Sequence, residues 1–255
     1  VAVADALLNR AELVVGDQVL RIAEVEVYVR AAGHPDPFAH AHPVQWGWGR
    51  WYFHRSGPAF RGGSFKGLDL TLGSTAASVG VLLRSVVAAD GALTDGPSRL
   101  VDRLLAWTGC ATVAELDTRL PGPVAFDPAA VVHLRAAADR AAPVVATARV
   151  GLSLKRARAF AEMPRYVGLP YRFLTEPRRI GPGRPQLVSA LHRAGSDPPA
   201  IRARTGVPAS AVTRYVTAFE EGRRERNFDR YVGVNLTPAD YCRLLGTWEA
   251  VFSAE

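Results

Sequence analysis

Lysine is nearly missing from this 255-residue chain. Only Lys66 and Lys155 are present, so arginine supplies almost all of the positive charge behind a net charge of +7 and a pI near 9.9. Arginine's planar fork suits bidentate phosphate contacts, and the excess favours a polyanionic partner, unless it reflects a compositional bias shared with the abundant alanine and scarce asparagine. Cysteine is equally sparse. Cys110 and Cys242 form no C-x-x-C pair, which excludes a disulfide framework or a thiolate metal site and leaves both as packing residues. No run approaches the 18 apolar residues of a membrane span, and the first residues lack a basic-then-apolar export pattern, so an intracellular protein without a membrane partner is expected. The 48% hydrophobic content and the length suit an ordered protein with one large domain, or a large and a small one.

The chemistry concentrates in Leu20 to His42, where strand periodicity, two glutamates, a tyrosine and three histidines fall close together. A period of two puts Leu20, Ile22, Glu24, Glu26 and Tyr28 on one face and Arg21, Ala23, Val25, Val27 and Val29 on the other. Two carboxylates about 7 Å apart on one face repel unless solvated, paired or protonated. They are therefore either solvated on an edge strand facing arginines or the floor of a pocket. The loop from Gly33 to Pro43 carries three prolines and three histidines and cannot form a regular element. His34, His40, His42 and His54 could ligate a metal, but their spacing matches no tetrahedral motif, and no metal or cofactor is expected.

Further along, Trp46, Trp48, Trp51, Tyr52, Phe53 and Phe60 alternate with Arg50, Arg55 and Arg61. Such interleaving suits a groove that stacks bases and holds phosphates, or a core anchored by tryptophans. Phe60, between Pro58 and Gly62-Gly63, is expected to stand exposed as a wedge. Ala11 to Val15, Gly16-Asp17 and Gln18 onward predict a hairpin. Phe65 to Leu72 and Gly80 to Val86 predict strands that extend it into an antiparallel sheet. Arg84 interrupts the second of these apolar runs and needs a partner: Glu24, Glu26, Asp69 or a phosphate. Helices are expected from Pro97 through Trp107, after the capping box Thr112 to Glu115, and from Asp127-Pro128 to about Arg140. Val144 to Leu152 and Tyr171 to Leu174 supply the last strands.

The pattern is α+β, with a mixed, mainly antiparallel sheet and peripheral helices over residues 1–182. A boundary at Gly181-Pro182-Gly183 leads into a small all-α subdomain, 183–255. There Ile201 to Val216 resembles a helix-turn-helix, with Gly206 at the turn and Val207, Val212 and Val216 facing inward. Arg202 departs from the small residue usual at its position. The segment either reads DNA, with Arg214 on its second helix, or caps the sheet, and Arg223, Arg224 and Arg226 add charge either way.

Taken in order, Glu24-Val25-Glu26-Val27-Tyr28 with Phe38-Ala39-His40, Trp51-Tyr52-Phe53, Gly67-Leu68-Asp69-Leu70, Val81-Leu82-Leu83-Arg84, Gly96-Pro97-Ser98-Arg99-Leu100, Arg149-Val150-Gly151 and Pro170-Tyr171-Arg172-Phe173 resemble the 3-methyladenine (alkyladenine) DNA glycosylases over roughly residues 10 to 180. The resemblance implies a monofunctional N-glycosylase of base excision repair, acting as a monomer on double-stranded DNA. It implies Glu26 as the group that activates water, Glu24 as the fallback, and Arg84 beside them. Tyr28, His40, His54 and Asp69 would enclose a flipped base; the chain's own pattern of aromatics and arginines adds Phe60, Arg50, Arg55, Arg61, Arg99 and Arg214 as the residues expected to meet the DNA.

The chain departs from the family in four places. Pro58 to Gly63 is inserted where the family carries its intercalating tyrosine, Asp69 replaces an asparagine, His54 replaces a base-stacking tyrosine, and the loop from Glu26 to His40 is longer. These changes bear on substrate more than on reaction type. A hydrolase of small nucleosides and a non-catalytic DNA-binding regulator are the rival readings.

Overall fold

The computed structural model describes residues 1–252. In chain order the strands are β1 (Ala11–Val15), β2 (Gln18–Ala31), β3 (His34–Pro35), β4 (Trp48–Phe53), β5 (Arg55–Ser56), β6 (Ala59–Phe60), β7 (Leu68–Leu72), β8 (Ala77–Ala88), β9 (Leu93–Asp95), β10 (Val132–Ala136), β11 (Val145–Thr147) and β12 (Arg172–Leu174). The helices are α1 (Ala2–Asn9), α2 (Pro97–Thr108), α3 (Val113–Thr118), α4 (Met163–Val167), α5 (Arg184–Arg193), α6 (Pro198–Thr205), α7 (Ala209–Gly222) and α8 (Pro238–Phe252). The fold is α+β. None of the helices among the described residues is long and apolar enough to cross a membrane.

Contacts divide the chain into two compact units. The first comprises residues 1–35, 39–144 and 173–175. Its sheet runs β10-β1-β2-β8-β7-β4 with antiparallel pairing throughout. The hairpin turn falls at Gly16-Asp17 as the sequence predicts, with Gly16 at φ +58 in the left-handed region that twisted hairpins require. α2 runs from Pro97 at its first turn to a left-handed Gly109 at its end, and Thr112 Oγ1 accepts from Glu115 N at the start of α3.

Three expectations are corrected here. First, the face assignment of β2 breaks at Glu24, where the pairing with β8 is irregular on both sides: Ile22 pairs with Val86, Glu24 with Ser85 and Val25 with Leu83. The irregularity switches parity. Leu20 and Ile22 share the apolar core with Val25 and Val27, so the face that carries Glu24, Glu26 and Tyr28 does not carry the apolar residues that precede them. Second, the expected third helix, Asp127 to Arg140, is instead strand β10, laid along β1 from Val15↔Val132 to Ala11↔Ala136. Asp127 closes a turn by accepting from Ala129 N, and the alternation of buried Val132 and Leu134 outweighs the alanine-rich stretch that follows. Third, α1 was not anticipated. Its Ala4, Leu7 and Leu8 join the first unit's core.

The second unit comprises residues 36–38, 145–172 and 176 onward. Residues 145–172 group with the helices rather than with the sheet, a division different from the composition boundary at 182–183. Two fully buried arginines bond within this unit. Arg149 ion-pairs with Asp36 at 2.7 Å, and Arg172 donates to the carbonyls of Pro182 and Gly183. Within this unit α7 and α8 pack backbone to backbone. A Cβ on Gly222 would lie 1.9 Å from the Arg243 carbonyl and one on Gly246 2.0 Å from that of Phe219, so only glycine permits the approach.

Candidate functional site

Across β2, β8, β7 and β4 the register aligns residues in rows. Val25, Leu83, Leu68 and Phe53 form one row, and Val27, Val81, Leu70 and Trp51 another; both face the core. The intervening row is Glu26, Leu82, Asp69 and Tyr52. Because directly paired residues project to the same side, these four share the face opposite the core. The sheet thus carries an apolar underside and a face of carboxylates and aromatic rings.

Glu24 and Glu26 have no exposed surface. Arg84 answers both: its Nε donates to Glu24 Oε1 at 3.0 Å and its Nη1 to Glu26 Oε2 at 3.1 Å. Ser85 Oγ donates to Glu24 Oε2 at 2.5 Å, and half-buried Tyr28 donates its hydroxyl to Glu26 Oε2 at 2.9 Å. Of the partners open to Arg84 within the sequence, the structure selects the two glutamates. Burial works against the guanidinium's charge, but Glu26 and then Glu24 outweigh it, and the group is held above its ordinary pKa. Ser85 carried no signal in the sequence; the irregular pairing at Glu24 is what sets it opposite that glutamate.

A second cluster sits on the same face one strand over. Asp69 is buried, with Oδ1 2.8 Å from His54 Nε2 and Oδ2 accepting from Gln45 Nε2 at 2.7 Å. Gln45 was missed by sequence reasoning. It lies in a single 3-10 turn, Pro43–Trp46, and its Oε1 also accepts from His42 N at 3.0 Å, so one amide ties the histidine loop to the sheet. Gly80 makes the space: a Cβ there would meet Gln45 Nε2 at 2.5 Å and Asp69 Oδ2 at 2.6 Å.

His40, His42, Tyr52 and His54 meet as rings. His40 and His54 are edge-to-face with centroids 4.6 Å apart, and His42 stacks on Tyr52 at 4.8 Å. His40 keeps more than a third of its surface open, yet its inner edge is crowded. Its pKa is lowered to about 4, first by desolvation and then by the neighbouring His54. Burial, then Arg55, lowers His42, and burial, then Asp69, raises Tyr52. His34 lies in β3, paired with Ala31 of β2. Among the described residues no three His, Cys, Asp or Glu side chains converge in metal-ligating geometry.

The expected DNA contacts are scattered. Phe60, expected as an exposed wedge, is half-buried: it packs on the core edge-to-face with Phe53 and lies under Arg55, whose guanidinium is 4.0 Å from the ring. The short hairpin of β5 and β6 turns it inward. Five residues on, Phe65 is 72% exposed, between Gly62-Gly63 and Lys66. Arg55 also ion-pairs with Asp117 at 2.9 Å, and Arg61 Nε donates to the Arg55 carbonyl. Arg50 and Arg99 are exposed in the first unit and Arg214 in the second. Trp51 belongs to the core, its indole donating to the Val132 carbonyl, whereas Trp48 is exposed and stacks on Phe126.

The fold and this face define an α+β protein whose antiparallel sheet carries a buried Glu-Arg-Glu cluster beside a His-Asp-Gln cluster. No protein-family model matches the chain. It is 34% identical over 117 residues to an uncharacterized protein, L759, of Acanthamoeba polyphaga mimivirus, a match covering 40% of this chain and 54% of the viral protein. The chain thus spans about half the length of the curated relative it matches.

Proposed function

We propose that the chain is a monofunctional DNA glycosylase, which flips a modified base out of duplex DNA and hydrolyses its N-glycosidic bond in base excision repair. The observation that carries the reading is the Glu24-Arg84-Glu26 cluster with Tyr28 on Glu26. A buried ion pair of this kind is weak evidence for stability, because apolar residues of similar volume are often as good or better. A cluster of this kind opposite an apolar core favours a chemical role, and the E-x-E-x-Y resemblance names one.

In that role Glu26 takes a proton from water as the water oxygen bonds to the sugar C1′. The glycosidic bond breaks with its electron pair going to the base, and the carboxylate charge faces the developing oxocarbenium ion. Arg84 holds both glutamates in place through its two hydrogen bonds, and Glu24 holds Arg84. Tyr28, His40, His54 and Asp69 enclose the extruded base. With Phe60 turned inward, exposed Phe65 is the better wedge for the duplex. A cationic alkylated base leaves unaided, whereas a neutral one needs a proton, for which His54 beside Asp69 is suited.

A second reading has its own observation. Both glutamates are closed from solvent and ligated by Arg84, Ser85 and Tyr28, as a purely structural cluster in a non-catalytic DNA-binding protein would be. Incubation with a panel of duplexes, each carrying one modified base, separates the two. Released base and abasic sites that vanish with Glu26→Gln support the glycosylase; binding without release of any base leaves the regulator.

A further inference from the structure

The turn between α6 and α7 has no part in the glutamate site, and it is built with care. α6 ends at Gly206, φ +68, and Thr205 Oγ1 donates to the Ile201 carbonyl while accepting from Val207 N. The chain therefore reverses within Gly206 to Pro208 and enters α7 at Ala209. Ile201, Thr205, Val207, Val212 and Tyr215 are buried, which locks the second helix against the first through an apolar turn, as a helix-turn-helix requires. Arg202, the departure from that pattern, points no charge inward because it is exposed.

Locking one face fixes what the other displays. Ser210, Thr213, Arg214 and Thr217, spaced i, i+3, i+4 and i+7, are exposed along α7 and include no carboxylate. The helix's acids, Glu220 and Glu221, lie in its last turn. Both are engaged, Glu220 by His192 and Arg223, and Glu221 by Arg243. A merely solvated face mixes charges of both signs; this one is hydroxyls and a guanidinium. The surrounding charge agrees, because the second unit holds eighteen lysines and arginines against eleven aspartates and glutamates.

We propose that this face of α7 seats in the major groove of duplex DNA and reads base edges, with Arg202 and Arg204 of α6 on the phosphates. In such motifs the second helix enters the groove with its N-terminal residues at the bases. Arginine pairs with guanine through two hydrogen bonds, and serine or threonine with any base. The site uses no residue of the first unit, so it stands whether or not the glutamates are catalytic.

The test is enrichment of the full chain's preferred sequence from a pool of randomised undamaged duplexes, followed by affinities for the enriched and a scrambled duplex. The wild type should prefer the enriched duplex by at least about tenfold, and Arg214→Ala should remove about tenfold of that preference. Arg214→Lys keeps the charge but lacks the fork, so it should lose preference while holding affinity for the scrambled duplex. Arg202→Ala with Arg204→Ala should weaken both duplexes alike and lower the salt slope by about 1.8. No enriched sequence, a preference indifferent to both Arg214 variants, or tighter binding to RNA than to duplex DNA would overturn the proposal. Absence of base release from every lesion would remove the glycosylase reading alone.

Discussion

The two units use charge in opposite ways. The first holds thirteen lysines and arginines against thirteen aspartates and glutamates and is neutral; the second holds the entire +7 of the chain. In the first, Glu24, Glu26, Asp69 and Arg84 are buried on one face of a sheet and spend their hydrogen bonds on one another and on Gln45, His54, Ser85 and Tyr28. In the second most arginines are exposed, and the buried pair, Arg149 and Arg172, serve Asp36 and backbone carbonyls. Under the proposed reading, net charge puts long-range attraction to a polyanion in the second unit and the buried-glutamate chemistry in the first. A chain-wide pI would have assigned both to the same surface.

The contrast breaks most sharply at Arg84. Arg84→Met leaves two buried carboxylates without their shared cation, a loss of about 3–5 kcal/mol in unfolding free energy by chemical denaturation. Adding Glu24→Gln and Glu26→Gln to Arg84→Met should recover part of it. If Arg84→Met is as stable as the wild type, the cluster is solvated in solution and the first unit does not bury charge as described.

Next in size is Glu26→Gln, which keeps the shape and the hydrogen bond from Tyr28. Under the proposed chemistry single-turnover excision should fall about 10²- to 10³-fold while duplex affinity holds, because the charge it removes faces the reaction and not the phosphates. Glu24→Gln should cost less. Equal rates for wild type and Glu26→Gln on a lesion that the protein does excise would strip this strand of its role.

The second unit's counterpart is steric. Gly222→Ala drives a methyl into the Arg243 carbonyl and should destabilise by about 1–3 kcal/mol, read as a shift in denaturation midpoint. DNA affinity at low salt should drop only as far as the helices separate. An unshifted midpoint would mean that α7 and α8 do not pack as closely as the glycines allow.

How much of this was legible depends on the range of the interaction. Gly16-Asp17, Pro97 at the start of α2, the Thr112 cap and the glycine turn between α6 and α7 are local signals, and each stands where it was read. The parity switch at Glu24 was not legible, because period-two reasoning assumes an unbroken ladder and the irregularity is set by the pairing with β8. β10 was read as a helix because the alanine-rich stretch after Leu134 says nothing of β1, more than a hundred residues away. The bond from Gln45 to Asp69 spans 24 residues and left no trace in spacing. Glu24, Glu26 and Arg84 were each singled out because a strand cannot gain from two carboxylates or an apolar run from an arginine, with the partner of Arg84 left open among Glu24, Glu26, Asp69 and a phosphate; conflict with local expectation was the signal.

The smallest effect compares the units by pH. His40 in the first unit has its pKa lowered to about 4 from an ordinary 6.5, through desolvation first and His54 second. Between those values the unfolded chain binds the proton and the folded chain does not. Its contribution to stability is therefore complete above about pH 6.5, falls with pH, and is exhausted below about 4. The open side of the ring lets solvent screen the effect, so the slope is less than the roughly 1.4 kcal/mol per pH unit that one fully buried group gives. In the second unit Glu220 is lowered from 4.5, chiefly by its hydrogen bond with His192. Its contribution is present above pH 4.5 and is lost only as pH falls below that, through its lowered folded value. As pH falls, the His40 contribution should therefore go before that of Glu220. His40→Gln should flatten the denaturation midpoint between pH 6.5 and 4 and leave the steeper fall below 4.5 in place; Glu220→Gln should do the reverse. If His40→Gln retains the wild-type slope across the upper window, the ring is protonated freely in the folded protein, and the crowding by Tyr52 and His54 is looser in solution than their contacts indicate.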